Sequence, residues 1–180
     1  MFRGQMPGSR RPWVVLAAVL VLGVALDQVA KQLAEAYLRG QGHVTVIRGF
    51  FELSYARNPG AFFSLGAELS PGIRRIFFVM ASAAASALIL RLFAKSEPGQ
   101  RLFRAALMLL LAGALGNLVD RVLWGEVIDF AHLHWRDAFD WATFNLADAF
   151  IVGGLGLLIA DIFRRNGDAV EAPAVERGST

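Results

Sequence analysis

Two aspartates with almost uncharged flanks are the residues of this sequence best suited to chemistry. Asp129 lies in the run VIDF (127–130), and Asp148 lies in the run LADAF (146–150). Ionisable side chains at membrane depth are costly and usually mark a functional site. When two carboxyl groups lie close together they share one proton, so one can activate a water molecule while the other polarises a carbonyl group. The pair therefore predicts acid–base chemistry of the aspartyl protease type at a site shielded from bulk water.

Polar side chains near these aspartates are spaced to share helix faces with one another. Asn145 precedes Asp148 by three residues, so it can orient that acid. Asn117 and Asp120 are also three apart, and Arg121 follows Asn117 by four. The adjoining Arg121 is expected to keep Asp120 ionised. We interpret this group as a scaffold that can also contact substrate.

A second polar pair ends the first apolar segment. Asp27 and Lys31 are four residues apart and can form an ion pair on one helix face. A structural clamp is the favoured interpretation, and contact with a polar substrate head group is the alternative. A third interpretation is a Ser–Lys nucleophile pair between Lys31 and Ser64, although nothing else around Ser64 indicates an activated serine.

The pattern of histidines does not favour metal binding. His132 and His134 follow Asp129 closely, and in a strand both rings would lie on one face. His43 is far away in sequence, so structural or interfacial roles are predicted instead. The chain has no cysteine, which excludes a thiolate metal site, a disulfide and a cysteine nucleophile. The sequence therefore predicts neither a metal nor a cofactor.

The composition is that of an integral membrane protein. Of the 180 residues, 56% are hydrophobic and only 18% are charged, and the mean hydropathy is +0.48. A soluble domain carries roughly a quarter charged residues. The net charge is +3, but the basic residues occur in ones and twos at the ends of apolar segments. That distribution suits membrane anchoring, so no nucleic acid partner is expected.

Four apolar segments are candidates to cross a bilayer, which needs about 20 residues. They are residues 13–33, 76–90, 103–122 and 142–163. The first could instead be a cleaved signal sequence with AEA (34–36) as its cleavage site, but its apolar pattern continues past Leu26, so a retained helix is predicted. Gly113 and Gly116, like the Ala/Ser-rich stretch 81–87, are expected to serve close helix packing.

The segments between the spans carry other signals. Residues 39–72 contain short β-prone runs divided by Gly49 and followed by the turn signal RNPG (57–60), which predicts a small sheet outside the membrane or on its surface. The connection 124–141 holds three of the four tryptophans and is predicted to lie in an interfacial aromatic belt. The predicted domain plan has three parts: a basic leader (1–12), a four-helix domain (13–165) with the β insert at about 39–66, and a disordered tail (166–180).

The basic residues also predict an orientation. With four spans both termini lie on one side, and that side carries 10 of the 18 lysines and arginines, many of them close to span ends. Both termini are therefore predicted to be cytoplasmic. The polar residues of the first, third and fourth spans then lie towards the extracytoplasmic surface, where water is available for chemistry.

Five ordered segments resemble those of one known family, lipoprotein signal peptidase, also called signal peptidase II. They are DQVAK (27–31), NPGAFFS (58–64), GALGNLVDR (113–121), VIDF (127–130) and FNLAD (144–148). Each is weak evidence alone, but all five occur in the right order, and the resemblance covers roughly residues 13–163. Ala112 stands where the family commonly has a further glycine, and Phe62-Phe63 replaces a more usual Ala-Phe.

The resemblance implies a bacterial inner-membrane aspartyl endopeptidase. Such an enzyme removes the signal peptide of a prolipoprotein by cutting just before a cysteine that carries a diacylglyceryl group. Asp129 and Asp148 would be its catalytic pair. Supporting or substrate-binding roles are implied for Asp27, Lys31, Asn58, Gly60, Asn117, Arg121 and Asn145.

The implied fold is an all-α membrane protein with four transmembrane helices. A small extracytoplasmic β-sheet between helices 1 and 2 would cradle the substrate. The implied partners are the diacylglyceryl-modified prolipoprotein and membrane lipids, and a monomer without metal or cofactor is expected.

Two other classes of function stay open on the sequence alone. A proton-coupled carrier could use the same two acids, but no internal repeat relates the first two spans to the last two. A non-enzymatic assembly or lipid-binding factor would need neither paired acids nor a supply of water.

Overall fold

The computed structural model describes residues 10–60, 69–135 and 138–170. Most of the predicted leader and most of the predicted tail lie outside these residues. Ser64 also lies outside them, and with it the interpretation of a Ser–Lys pair.

Four long apolar helices form the body of the described part of the chain and confirm the predicted fold class. Their length and composition allow each of them to cross a membrane. The helices are α1 (Arg11–Leu38), α2 (Pro71–Lys95), α3 (Arg101–Leu123) and α4 (Leu146–Val170). Proline stands in the first turn of α1 and α2, where its missing N–H is no loss.

A four-stranded antiparallel sheet lies at one end of the bundle. Its strands are β1 (Val44–Ile47), β2 (Phe51–Asn58), β3 (Val127–Trp135) and β4 (Phe139–Asp140), and they pair in that order. β1 and β2 connect α1 to α2, as predicted. The other two strands come from the connection between α3 and α4, for which the sequence had indicated only an interfacial aromatic segment.

Helix α3 packs against each of the other three helices, and small residues allow the closest approaches. A Cβ atom on Gly116 would lie 2.8 Å from Asp27 Oδ2 and 3.0 Å from Ala147 Cβ. A Cβ atom on Gly113 would collide with the backbone of Ala147 and would lie 2.7 Å from Ile151 Cγ1. The prediction that these two glycines serve close helix packing is confirmed.

The two ends of the bundle differ in chemistry. At the end away from the sheet, apolar side chains pack around Leu16, Phe93, Leu107 and Leu111. At the sheet end, the last turns of α1 and α3 meet the first turn of α4, and most of the buried polar side chains lie there. Most of the buried charge therefore lies at one end of an apolar bundle, while Asp161 is buried at the other end.

Candidate active site

A buried lysine holds three polar side chains at the sheet end of the bundle. Lys31 Nζ lies 2.7 Å from Asp27 Oδ2 and 2.8 Å from Asp120 Oδ2, and it donates to Asn117 Oδ1 at 3.0 Å. Each of the four residues is 4% exposed or less. Buried charges are tolerated only when paired and hydrogen-bonded. The predicted Asp27–Lys31 pair is confirmed, and its burial favours the clamp over contact with a head group.

The expectation that Arg121 pairs with Asp120 is wrong. Asp120 pairs with Lys31 of α1, and it accepts a hydrogen bond of 2.8 Å from Gln28 Nε2 of the same helix. Successive residues of an α-helix point about 100° apart, so Arg121 leaves α3 in another direction. Its guanidinium group lies over the ring of Phe78, 5.8 Å from the centroid.

The N-terminus of α4 is buried, and side chains satisfy its backbone N–H groups. Asp27 Oδ1 accepts from Ala147 N at 2.8 Å. Asn145 Oδ1 accepts from Asp148 N at 2.9 Å, and Asp148 Oδ2 accepts from Asn145 N at 3.2 Å. This reciprocal arrangement is a capping box, with asparagine as the cap and aspartate as the third helical residue. Asn145 orients Asp148, as its spacing predicts.

Strand β3 brings Asp129 to the same place. Asp129 Oδ1 accepts a hydrogen bond of 2.7 Å from Asn145 Nδ2, and Asp129 Oδ2 accepts one of 3.0 Å from Asn58 Nδ2. Asn145 therefore bonds to both aspartates and joins β3 to α4. Asp129 is only 3% exposed. The structure thus brings together the two acids that the sequence singled out.

Gly60 fixes the amide of Asn58. Asn58 Oδ1 accepts from Gly60 N at 3.0 Å, which leaves its Nδ2 to donate to Asp129. Gly60 has a φ of +104°, and a Cβ atom there would collide with the ring of Phe78. A turn of this shape favours glycine because other residues rarely adopt positive φ.

Lys31 fixes which way the side-chain amide of Asn117 is turned. Because an ammonium group can only donate, the Oδ1 of Asn117 must face Lys31, and its Nδ2 then donates to Asp148 Oδ1 at 2.7 Å. Asn145 Nδ2 also donates to Asn117 Oδ1, at 3.1 Å. The clamp and the two acids are therefore parts of one hydrogen-bond network.

Burial raises the pKa of Asp129 to about 6. The negative charge of Asp148 adds to the rise, while hydrogen bonds from the amides of Asn58 and Asn145 oppose it. Desolvation prevails because Asp129 is almost fully enclosed. A carboxyl group with such a pKa can retain a proton close to neutral pH, as acid catalysis requires.

The described residues of the site differ in exposure. Asp148, Asn58 and Arg121 are half-buried, whereas Asp129 and Asn145 are buried. Arg121 Nη1 donates to Asn117 O at 3.3 Å, so its guanidinium group stays beside the amides. Among the described residues of the site, Asp148, Asn58 and Arg121 are therefore the more accessible to a bound molecule.

The histidines lie on the other face of the sheet. Side chains alternate along a strand, so His132 and His134 face away from Asp129. The interpretation of a metal site that combines them with Asp129 is wrong for this reason. His43 is distant from the other histidines in sequence, but the strand pairing brings it to Glu52, with 3.3 Å between His43 Nδ1 and Glu52 Oε2. Among the described residues, the group that could hold a metal ion consists of His43, Glu52 and His132.

Two contributors to the site were not predicted. Gln28 Nε2 donates to Gly116 O at 3.2 Å as well as to Asp120. Its position three residues before Lys31 on α1 is a signal that could have identified it. Phe78 supports both Gly60 and Arg121, but nothing distinguishes this phenylalanine within its apolar segment.

Comparisons with known proteins agree on one family. The family profile described as Signal peptidase (SPase) II matches residues 19–164. A protein named lipoprotein signal peptidase from Geobacter sulfurreducens is 41% identical over 150 residues, covering 83% of this chain and 92% of the relative. One of the same name from Janthinobacterium sp. is 42% identical over 160 residues, covering 88% of this chain and 92% of the relative.

Solved structures give the same result for the fold. A structure titled as a bacterial membrane enzyme at 2.3 Å resolution superposes with a TM-score of 0.75 and 28% identity, covering 89% of this chain and 94% of the other. A second structure with the corresponding title at 1.9 Å has a TM-score of 0.72 and 29% identity, covering 82% and 92%.

Proposed function

The chain belongs to the signal peptidase II family, and on that premise we propose that it is an aspartic-type lipoprotein signal peptidase that removes signal peptides from prolipoproteins. The observation that carries the aspartic mechanism is the bridge made by Asn145. This one side chain orients Asp148 in the first turn of α4 and donates to Asp129 on β3. Two carboxyl groups from different elements are thereby linked through one side chain, with Asp129 buried and Asp148 half-buried.

The burial of the two acids assigns their roles. Asp129 is enclosed and has a raised pKa of about 6, so it holds the shared proton. Asp148 is half-buried and stands nearer to solvent, so it acts as the base that takes a proton from water. The hydroxide equivalent adds to the scissile carbonyl carbon while Asp129 gives its proton to the carbonyl oxygen.

Collapse of the tetrahedral intermediate completes the reaction. Asp148 passes the proton it has taken to the leaving nitrogen, and the C–N bond breaks. Asp129 recovers its proton from the hydroxyl group as the new carboxyl group forms. Each acid returns to its starting state, and the products are the signal peptide and the free amine of the mature lipoprotein. Neither a metal ion nor a covalent intermediate takes part in this scheme.

The position of the site suits a lipid-anchored substrate. We propose that cleavage occurs just before a cysteine that carries a diacylglyceryl group, whose acyl chains remain in the bilayer beside the helices. Anchoring confines the cleavage junction to the depth of the acids and lowers the entropic cost of positioning it. The sheet that carries Asn58 and Asp129 would cover the junction, and Arg121 would contact its polar groups.

The proposal includes a location. The protein acts as a monomer in the bacterial inner membrane, with both termini cytoplasmic and the sheet end extracytoplasmic. Helix α1 stays in the mature chain, because the buried Lys31 precedes the AEA (34–36) cleavage signal and cleavage there would remove it.

A cleavage assay with matched substrates tests the proposal. The purified protein in detergent is incubated with a prolipoprotein that carries the diacylglyceryl group or lacks it, and the products are identified by mass spectrometry. We expect cleavage of the lipidated form only, with the modified cysteine at the new N-terminus. Asp148→Asn should be inactive. Asp161→Asn, which alters a buried aspartate of the same helix at its other end, should retain activity per folded molecule.

Two results would count against the proposal. Cleavage by Asp148→Asn at the wild-type rate would exclude the assigned base. Proton flux across liposomes without any cleavage would favour the proton-coupled carrier.

A further inference from the structure

The second cluster of chemically capable side chains lies on the sheet face turned away from the two acids. It consists of His43, Glu52 and His132, which we call the histidine cluster. Each of these residues offers one ligand atom, and the three atoms lie within 4.8 Å of one another. Neither the proposed cleavage nor the hydrogen-bond network of the acids uses any of them.

We propose that the histidine cluster binds a divalent transition-metal ion of the zinc type. Imidazole nitrogen and carboxylate oxygen are ligands that Zn²⁺ accepts at about 2.0–2.2 Å. A tetrahedral site needs its ligand atoms roughly 3.3 Å apart, so the cluster has to contract slightly. His43 can supply that movement because its side chain is 63% exposed.

The surroundings of His132 match those of a metal-ligating histidine. Its Nε2 lies 2.7 Å from Asp140 Oδ1 on β4. A ligating histidine commonly donates its other ring nitrogen to a carboxylate, which fixes the tautomer and the ring. Its Nδ1 is buried and has no hydrogen-bond partner among the described residues. Buried polar atoms without partners are uncommon, and a bound ion would supply the missing partner.

The neighbouring His134 strengthens the site. Its ring stacks on that of His132 at 5.3 Å between centroids. Its Nε2 lies 3.7 Å from Glu52 Oε1, which is beyond hydrogen-bond range, and finds no other partner in the part of the chain that the structure describes. His134 can therefore supply a fourth ligand, or a water molecule can occupy that position.

The strand pairing indicates which strands a bound metal ion would connect. Glu52 lies opposite His132 across β2 and β3, and Thr45 of β1 lies opposite Glu52 on its other side. His43 directly precedes β1, whose four residues are all exposed. A metal ion would thus tie an edge strand without a buried face to the two central strands. Those same central strands carry Asn58 and Asp129, so the ion would stiffen the sheet that supports the acids without taking part in the chemistry.

Zinc binding to the intact protein tests this inference independently of cleavage. The full chain without an affinity tag is titrated with Zn²⁺ in a buffer that does not chelate it, and the melting temperature Tm is followed. We expect one ion per chain and a Tm that rises with Zn²⁺ concentration. His43→Gln and Glu52→Gln should lose this rise. Glu97→Gln, which removes an exposed carboxylate between α2 and α3, should keep it.

A second measurement needs no variant. Zn²⁺ should protect His43 and His132 of the wild-type protein from modification by diethylpyrocarbonate, as detected by peptide mass spectrometry. The absence of a Zn²⁺-dependent rise in Tm, a rise that His43→Gln retains, or unprotected histidines would each overturn the proposal. Since none of these readouts involves substrate, failure of the metal site and failure of the proposed peptidase activity are distinguishable.

Discussion

Four N–H donors converge on the two carboxyl groups of the site, one for each oxygen atom. Asp129 accepts from the amides of Asn58 and Asn145, and Asp148 accepts from the amide of Asn117 and the backbone of Asn145. Such bonds favour the charged forms, whereas burial and the proximity of two acids disfavour them. The hydrogen bonds therefore hold both carboxyl groups in fixed orientations, while burial and the proximity of the two acids favour one shared proton.

Replacing either acid by asparagine should abolish cleavage while leaving the protein folded. Asp129→Asn and Asp148→Asn each turn one amide nitrogen towards an N–H donor, which costs about 1–3 kcal/mol, but each also removes a desolvated carboxylate. The double variant should be scarcely less active than either single one, because the acids act as one unit. The measurement is the cleavage rate normalised to folded protein.

Asp120→Asn is the informative comparison for this prediction. It weakens the clamp of Lys31 but leaves Asp27 as a partner. Loss of one member of a buried ion pair typically costs about 3–5 kcal/mol, so Tm should fall while turnover per folded molecule persists. Substantial cleavage by Asp129→Asn, together with none by well-folded Asp120→Asn, would move the catalytic pair to Asp120 and Asp148.

The pH profile should show the proton held by Asp129. Because its pKa is raised to about 6, the shared proton is lost as the pH rises through that value. We expect kcat/KM to fall above an apparent pKa of about 6. The charges that face Asp129 are Asp148 on α4 and Lys31 on α1. If Asp129→Asn retains any activity, its pH profile should not show this fall in kcat/KM above about pH 6.

The pH dependence of stability should also reflect Asp129, with the opposite sign to that of an aspartate whose pKa is lowered in the folded state by a nearby cation. The folded pKa of Asp129 is above the unfolded value of 3.8, so the unfolded state releases its proton first. The free energy of unfolding should therefore fall between about pH 4 and pH 6, by about 3 kcal/mol for this group, and then level off. Thermal unfolding of the wild type and Asp129→Asn across that range measures the difference. Equal slopes for the two proteins would contradict the assigned pKa.

At the scale of elements, the site depends on where α4 begins. The capping box of Asn145 and Asp148 is local, and the spacing of these residues predicts it. The i,i+4 pair of Asp27 and Lys31 is predictable for the same reason. The partner of Asp120 is not predictable from local spacing. That partner is Lys31 of another helix, whereas Arg121, the nearest cation in sequence, points elsewhere.

The sheet shows the same limit of prediction. The residues 127–135 pair with β2 over most of its length, but their tryptophan-rich surroundings favoured an interfacial segment. The proximity of His43 to His132 depends on that pairing, so sequence distance was misleading there. Local spacing predicts contacts within an element well, whereas contacts between elements require the register of strands and the rotation of helices.

The contact between α3 and α4 should be sensitive to a single methyl group. A Cβ atom on Gly116 would lie 2.8 Å from Asp27 Oδ2 and 3.0 Å from Ala147 Cβ, so Gly116→Ala should displace α4 and the acid in its first turn. We expect a loss of about 1–3 kcal/mol in stability, as is typical of overpacking, and a larger proportional loss of cleavage. The measurements are Tm and cleavage rate on the same preparation.

Gly156→Ala is the matched control on α4. A Cβ atom there would have no other atom within 4 Å among the described residues. Alanine is the better helix former by about 1 kcal/mol, so this variant should be as stable as the wild type or more so. Unaltered cleavage and Tm in Gly116→Ala would contradict the proposed role of the close contact.

At the scale of the whole molecule, the buried polar network and the sheet lie at one end of an apolar bundle. The exposed residues of the helices are largely apolar, including Val21, Ile76, Met80 and Val152, and such faces suit contact with lipid. Basic residues close to the helix ends are more numerous at the opposite end. That end has Arg10, Arg11, Arg91, Lys95, Arg164 and Arg165, whereas the sheet end has Arg39, Arg74, Arg75 and Arg121. This asymmetry supports the proposed orientation, with the chemistry on the side opposite to the basic end.

The proposed orientation can be tested with single cysteines, because the native chain contains none and gives no background. Gln41→Cys introduces a thiol at an exposed position between α1 and β1, and Glu97→Cys introduces one at an exposed position between α2 and α3. A membrane-impermeant maleimide should label the first in intact cells and the second only after the inner membrane is permeabilised. Both variants should retain cleavage, since neither position contacts the acids or the buried clamp. If Glu97→Cys were labelled in intact cells and Gln41→Cys were not, the basic end would face outwards. The two acids would then lie on the cytoplasmic side, where a precursor that is translocated before cleavage could not reach them.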